Sequence, residues 1–197
     1  MLIRYVFVFV LLAFTYAPFG HAQDTAAFPS DTEIRLLLTQ ADRAIQQYKP
    51  LLDEEAVQLG KSGAGAVAQD RQVVHALETA LSTFAKQPQA FNSAAGFAFF
   101  EWLDDASRNA LLCSTTSMNQ LSDKLMRGST KEGTELVHLS QGCMDVSTLF
   151  YTVSENAGSL YERYIKAEEA LAQKGFNVAQ KCTDVLKQKS DADAKKQ

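Results

Sequence analysis

Cysteine is the residue type in this chain whose chemistry the sequence constrains most. The 197-residue sequence holds Cys113, Cys143 and Cys182, so at most one internal disulfide forms and one thiol is left over. If the helices on either side of residue 130 form a hairpin, Cys113 lies opposite a position about five residues, or about 7.5 Å along a helix, from Cys143. A small shift of the turn then brings the two into disulfide range. We therefore expect a Cys113–Cys143 disulfide and a free thiol at Cys182. The alternatives are three buried thiols and a Cys182 that joins two chains.

Acid–base and metal-binding side chains occur without the partners that their chemistry requires. Glu135 and His138 form a Glu-x-x-His element, with which helical bundles hold paired metals, but no second element in that order is present and the flanking leucines turn His138 outward. Glu101, Asp104 and Asp105 share one helical turn, where solvated carboxylates lack the environment that separates catalytic pKa values. We expect no catalytic residue, no metal site and no enzymatic activity.

Cofactor-binding motifs are incomplete. Gly60-Lys61-Ser62 resembles the end of a phosphate-binding loop, but the first glycine of that loop is missing and a helix precedes the segment where a strand is needed. The Cys-x-x-Cys-His motif of covalent haem attachment does not occur. No cofactor is expected, and a haem-like molecule held non-covalently is kept as an alternative.

An aromatic segment is the most unusual feature of the sequence. Phe97, Phe99, Phe100 and Trp102 place rings around more than one side of a helix. Such a helix is either buried on several sides or exposes a patch to another molecule. We take these four residues as the candidate partner- or ligand-binding surface. The alternative is that the first helix or the last short helix covers them.

The N-terminal residues indicate export. Arg4 is followed by an apolar run over 5–14 and by the small-residue exit Gly20-His21-Ala22, which is the pattern of a signal peptide over 1–22. The run is shorter than the roughly 20 residues that span a bilayer, although uncleaved anchoring stays open. The chain has 19 basic and 23 acidic residues, a net charge of −4, without the basic face that nucleic acid requires. We expect a periplasmic or secreted protein with no membrane span after cleavage.

Apolar residues recur at steps of three and four along most of the remaining chain, which predicts helices. Ser30 and Glu33 form a capping box at the first helix, Pro50 predicts a kink or a break in that helix, and residues 60–65 predict a turn. We call each such row of apolar residues along a helix a seam. The fourth seam repeats at steps of three and four for five heptads, which is typical of coiled-coil packing. Ser159, however, is able to cap a new helix. The four seams are Ile34, Leu38, Ala41, Ile45, Tyr48 and Leu52; Val67, Val74, Leu77, Leu81 and Phe84; Ala95, Phe99, Trp102, Ala106, Leu112, Thr116, Leu121 and Leu125; and Leu136, Leu139, Cys143, Val146, Phe150, Val153, Ala157, Leu160, Tyr164, Ala167 and Leu171.

These patterns predict an all-α fold. We expect an elongated antiparallel up-and-down bundle of four long helices over 23–189, with a short C-terminal helix after Gly175 and a flexible tail over 190–197, because short connections make sequential helices antiparallel neighbours.

The expected function is non-enzymatic. Long seams, surplus aromatic residues and missing catalytic motifs favour an exported protein that acts through protein contacts, as an adaptor, as an inhibitor-like binder of another exported or envelope protein, or as a homodimer. The alternative is a bundle that binds a small or haem-like ligand in a pocket near Phe99, Trp102 and Phe150.

Overall fold

The computed structural model describes residues 27–194, without the side chains of 61–63, 186 and 188–194. The predicted signal peptide therefore lies outside the described residues. The described chain is all-α, as predicted. Its elements are α1 (Asp31–Lys86), a 3₁₀ turn (Pro88–Ala90), α2 (Ser93–Met126) and α3 (Thr130–Ala194).

Helix α1 begins at the predicted capping box. The main-chain N–H of Glu33 donates to the Oγ of Ser30 at 3.3 Å, and the main-chain N–H of Ser30 donates to the Glu33 carboxylate at 2.8 Å. The backbone stays helical through Pro50 and departs from helical geometry at Gly60, with φ +55° and ψ −137°. Glycine tolerates this left-handed φ because it has no Cβ. Gly60 thus divides α1 into a first arm, 31–59, and a second arm, 61–86, where two separate helices were predicted.

The two arms contact each other through polar side chains. Lys49 pairs with Glu78 at 2.8 Å, and Arg71 pairs with Asp53 at 2.8 Å. Because both pairs join residues on opposite sides of Gly60, the chain reverses there and the second arm packs on the first.

Among the described helices, α2 and α3 have the most extensive contact, and small residues form its centre. Ser107 and Ser147 are buried against each other, and the Oγ atoms of Ser114 and Ser140 lie 3.0 Å apart one heptad away. Gly128, with φ +76°, lies in the turn that connects the helices. Small side chains let the two backbones approach closely, so the interface is narrow.

Helix α3 continues without a break from Thr130 to Ala194. The break considered at Ser159 does not occur, and the segment predicted as a separate short helix after Gly175 is the end of α3, so that expectation is wrong. A glycine inside a helix costs only about 1 kcal/mol relative to alanine, which the flanking helix formers offset. Gly158 also has a packing role, since a methyl group there would meet the ring of Phe100 at 3.5 Å.

The hydrophobic core lies between the arms of α1 and the facing sides of α2 and α3. Rings meet edge to face at its centre, where Tyr48 and Phe150 have centroids 5.7 Å apart and Phe84 contacts Phe99 at 5.8 Å. Such pairs contribute about 0.5–1.5 kcal/mol beyond the area that they bury. The predicted fourth seam is buried through Ala167. Among the described helices, none has the length and apolar character needed to cross a bilayer.

Candidate functional site

The structure separates the four aromatic residues that the sequence grouped. Phe99 is fully buried in the core. Phe97 is 45% exposed, and its ring centroid lies 5.4 Å from that of Tyr161 and 6.4 Å from that of Phe100. Trp102 lies in a groove on another side of α2. The segment is thus shared between core, α3 contact and groove, and a binding role for these residues stays a prediction.

The groove beside Trp102 is apolar and has a volume of about 420 Å³. It runs between the second arm of α1 and the start of α2. Phe150 is fully buried and packs on Tyr48, so it does not border the groove as the ligand-binding alternative expected. The lining residues are Ala76, Thr79, Ala80, Thr83, Phe84, Ala95, Ala98 and Trp102.

The cysteines lie where the hairpin argument placed them. The sulfur atoms of Cys113 and Cys143 are 2.07 Å apart and the Cα atoms 6.0 Å apart, which is disulfide distance. Both side chains are buried. Cys182 is free and exposed on α3.

The acidic and histidine side chains considered for chemistry lie mostly on the surface. His138 and Glu101 are exposed, and Asp104 pairs with Arg108. Glu135 accepts a hydrogen bond from Gln58 at 3.0 Å. Among the described residues, no group of three or more His, Cys, Asp or Glu side chains is arranged to hold a metal ion.

A second cavity, which we call the polar cavity, has a volume of about 450 Å³ and lies between the two arms of α1 and the middle of α2. Its walls include two carboxyl groups, three amides and one of the paired cysteines. The lining residues are Glu55, Leu59, Ala66, Gln69, Asp70, Asn109, Leu112, Cys113, Thr116 and Gln120.

Glu55 is the most unusual residue of the polar cavity. Its side chain is only 3% exposed, and its Oε2 atom is buried without a hydrogen-bond partner. Burial, and then the nearby charge of Asp70, raise the pKa of Glu55 to about 7. Both causes disfavour the ionised form, so the group changes charge near neutral pH.

Asp70 faces the same cavity from the second arm and is 5% exposed. Its Oδ2 accepts a hydrogen bond from the hydroxyl of Tyr48 at 2.8 Å. Burial raises the pKa of Asp70, and this hydrogen bond opposes the shift. Burial and the charge of Asp70 raise the pKa of Tyr48, so the phenol stays protonated and remains a donor.

Asn109 adds an unused donor on the α2 side. Its Nδ2 atom is buried and has no hydrogen-bond partner. Unpaired buried polar atoms are rare, because each costs about 1–3 kcal/mol relative to a paired one. The polar cavity therefore presents an unpaired acceptor at Glu55 and an unpaired donor at Asn109.

Sequence reasoning missed this cavity, although a signal was present. Glu55 follows Leu52 by three residues and precedes Leu59 by four, and Asp70 lies three after Val67 and four before Val74. Both acids thus occupy positions of the apolar seams. A carboxyl group at a seam position must be buried, and buried carboxyl groups require a partner or a function.

The end of α3 is the other unusual feature. Arg163 contacts Glu33 and Ser93 contacts Glu168 at the start of α1 and α2. Beyond that level, every side chain from 171 to 185 is exposed. We call residues 171–185 the C-terminal projection. Its large apolar residues are exposed by more than half: Leu171 54%, Phe176 65%, Val178 61% and Val185 63%.

Searches of protein-family models, of curated proteins and of solved structures find no significant match to this chain. The arrangement of its own residues is what supports a function.

Proposed function

We propose that the chain is an exported, non-enzymatic helical protein that acts through protein contacts, and that its contact surface is the C-terminal projection. The observation that carries this proposal is the exposure of every side chain from 171 to 185, four of them large and apolar. Exposed apolar stripes of this kind mark interaction surfaces.

The elements form an antiparallel up-and-down bundle in this proposal. Contacts between α2 and α3 move backward along α3 as they move forward along α2, and the first arm of α1 contacts α3 in the same sense. The supporting pairs are Ser93 with Glu168, Ser107 with Ser147, Ser114 with Ser140, Gln40 with Asn156 and Gln58 with Glu135.

The leader and the cysteines support export. Residues 1–22 have the signal-peptide pattern, and Cys113 and Cys143 lie at disulfide distance. Disulfides form and persist in oxidising compartments. Intact mass of the purified chain tests the leader directly, since cleavage after Ala22 removes residues 1–22 and any larger mass contradicts it.

The projection continues the apolar rhythm of α3. Leu171, Gly175, Val178, Cys182 and Val185 follow one another at steps of four and three. This is the a and d pattern of a coiled coil, with Gly175 and Cys182 at a and the others at d. Since the described part of the chain places nothing over this seam, its partner is another helix.

A second copy of this chain fits the seam in parallel orientation. Lys174 and Lys181 lie at the g positions that flank it. In an antiparallel pair these lysines would face the same lysines of the other copy and repel, whereas in a parallel pair Lys174 faces Ala179. Parallel pairing in register also brings the two Cys182 thiols together, where an oxidising compartment would join them.

The test is the mass of the purified full chain by size-exclusion chromatography with light scattering, together with a non-reducing gel. In a mild reductant that cleaves an exposed Cys182–Cys182 bond, we expect a dimer that Val178→Asp dissociates, because a charge at d cannot be buried. Asn177→Asp, an exposed change on the outer face of the same turn, is the matched control and should stay dimeric. A monomeric wild-type chain, or equal behaviour of the two variants, would contradict the proposal.

A further inference from the structure

We propose that the polar cavity binds a small protonated amine that also carries a hydrogen-bond acceptor, with Glu55 and Asp70 contacting the ammonium group and Asn109 donating to the acceptor. The site lies beside the Cys113–Cys143 pair, none of its described lining residues belongs to the C-terminal projection, and it is independent of the proposed dimer.

The charge of the cavity favours a cation. Glu55 and Asp70 are both more than nine-tenths buried, and among the side chains that the structure describes no lysine, arginine or histidine lines the cavity. Two basic residues of α1 are engaged with other carboxylates, since Arg71 pairs with Asp53 and Lys49 with Glu78. A bound cation would supply the positive charge that two buried carboxyl groups lack.

The unpaired hydrogen-bonding atoms of the cavity indicate which polar groups the ligand carries, in addition to its charge. The Oε2 atom of Glu55 accepts no hydrogen bond, and Oδ2 of Asp70 accepts one from Tyr48. A primary ammonium group has three N–H donors, which is enough to serve both carboxylates. The unpaired Nδ2 of Asn109 requires an acceptor, such as a hydroxyl or carbonyl oxygen on the same ligand.

The remaining wall limits the size and nature of the ligand. Leu59, Ala66 and Leu112 line the cavity together with Cys113, and they suit a short hydrocarbon segment between the two polar ends. A volume of about 450 Å³ is in the range of small-molecule sites. An aliphatic amino alcohol therefore matches the cavity in charge and polarity.

A divalent metal ion is less well matched. Calcium takes six to eight oxygen ligands and magnesium needs octahedral geometry with several ligands. Of the described lining residues only Glu55 and Asp70 offer charged oxygen atoms, so the neutral amides and Thr116 would have to supply most of the ligands. No described cluster of three or more acidic, His or Cys side chains is arranged for a metal.

Binding should depend on pH through Glu55. Among the described residues, the titratable groups at the cavity are Glu55 on the first arm, Asp70 on the second arm and Tyr48 behind it, and the described residues that α2 contributes do not titrate. Burial and the charge of Asp70 raise the pKa of Glu55 to about 7. An ammonium ligand favours the carboxylate, so its binding near neutral pH should release a proton from Glu55.

The test is isothermal titration calorimetry, which measures the affinity of the protein, purified in the form that the cell produces, for ethanolamine. The titration is done at about pH 8, where Glu55 is mostly ionised. We expect saturable binding that Glu55→Gln weakens about tenfold or more, because a hydrogen bond to a charged group is lost. Glu54→Gln, the same change at a neighbouring carboxylate outside the cavity, should leave the affinity unchanged. Repeating the titration near pH 7 in buffers of different ionisation enthalpy should reveal the released proton.

Further probes separate the contributions. Ethylamine, which lacks the acceptor, should bind more weakly than ethanolamine, and Asn109→Leu should abolish that difference. Tetramethylammonium, which has no N–H donor, should not bind. The proposal is overturned if ethanolamine does not bind, if tetramethylammonium or Ca²⁺ alone binds at least as well, or if Glu55→Gln and Glu54→Gln behave alike.

Discussion

Ser107 and Ser147 join α2 to α3 by a reciprocal pair of hydrogen bonds, in which the Oγ of each serine donates to the main-chain carbonyl of the other at 2.9 Å in both directions. Ser114 and Ser140 repeat the contact one heptad away, with the Oγ of Ser140 donating to the carbonyl of Ser114 at 3.1 Å. Serine is small enough to allow the close approach of the backbones and polar enough to bond across it. These pairs therefore set the spacing of the two helices.

Enlarging this interface should destabilise the fold. Ser147→Leu is expected to lower the free energy of unfolding by about 1–3 kcal/mol through overpacking, and Ser147→Ala by about 1 kcal/mol through loss of the hydrogen bond. Urea denaturation followed by circular dichroism measures both. Thr148→Ala, at an exposed neighbour, should change stability by less than about 0.5 kcal/mol. A comparable loss there would mean that the contact with Ser107 is not responsible.

Removing the disulfide should cost more than removing either serine. The Cys113–Cys143 pair closes a separation of 30 residues, so the double variant with alanine at both positions should be about 3–4 kcal/mol less stable on the chain-entropy model. Guanidinium denaturation of the oxidised chain is the measurement. Cys182→Ala is the control, since that thiol is free and exposed. Unchanged stability of the double variant would show that the two sulfurs are not bonded in solution.

Glu55 should make the protein less stable as pH rises toward neutrality. Burial and then Asp70 raise its pKa from 4.5 to about 7 in the folded state, so the folded state binds the proton more tightly than the unfolded state. Stability then falls between about pH 4.5 and 7, by an amount on the order of 3 kcal/mol. Glu55→Gln should flatten this slope and raise stability at neutral pH, as followed by urea midpoints across the range. A slope of the same size in the variant would contradict the assignment.

Glu33 should have the opposite dependence on pH. Hydrogen bonds from Arg163 and then from Ser30 lower its pKa from 4.5 to about 2, so its contribution is complete above about pH 4.5 and is lost as pH falls toward 2. Because Glu33 and Arg163 are each about 40% exposed, solvent screening limits the effect to about 1 kcal/mol. Glu33→Gln should remove it in acid denaturation curves, whereas Glu169→Gln, at an exposed carboxylate, should not.

Local sequence patterns predicted much of the architecture. The capping box at Ser30 and Glu33 predicted where α1 begins, and residues 60–65 predicted where it reverses. The hairpin expected around residue 130 predicted that Cys113 pairs with Cys143. These features depend on side chains and main-chain groups a few residues apart, or on a single hairpin. The interactions that stabilise them can therefore be predicted from residues that are close together in the sequence.

The tertiary structure decided what those patterns left open. In the sequence, Gly158 and Gly175 suggest breaks in the helix, yet α3 continues through both. A glycine destabilises a helix without preventing it, and packing or flanking residues compensate for that loss of stability. Phe97, Phe99 and Trp102 lie within six residues of the sequence but in three environments, because the rotation of the helix directs their side chains to different neighbours.

The polar cavity depends most on the tertiary structure. Glu55, Asp70 and Asn109 come from three helical segments, and only the reversal at Gly60 and the packing of α2 bring them together. The sequence alone determined that two carboxyl groups occupy apolar seams. Whether they face water or share a buried space depends on long-range packing, which residue spacing along one helix does not encode.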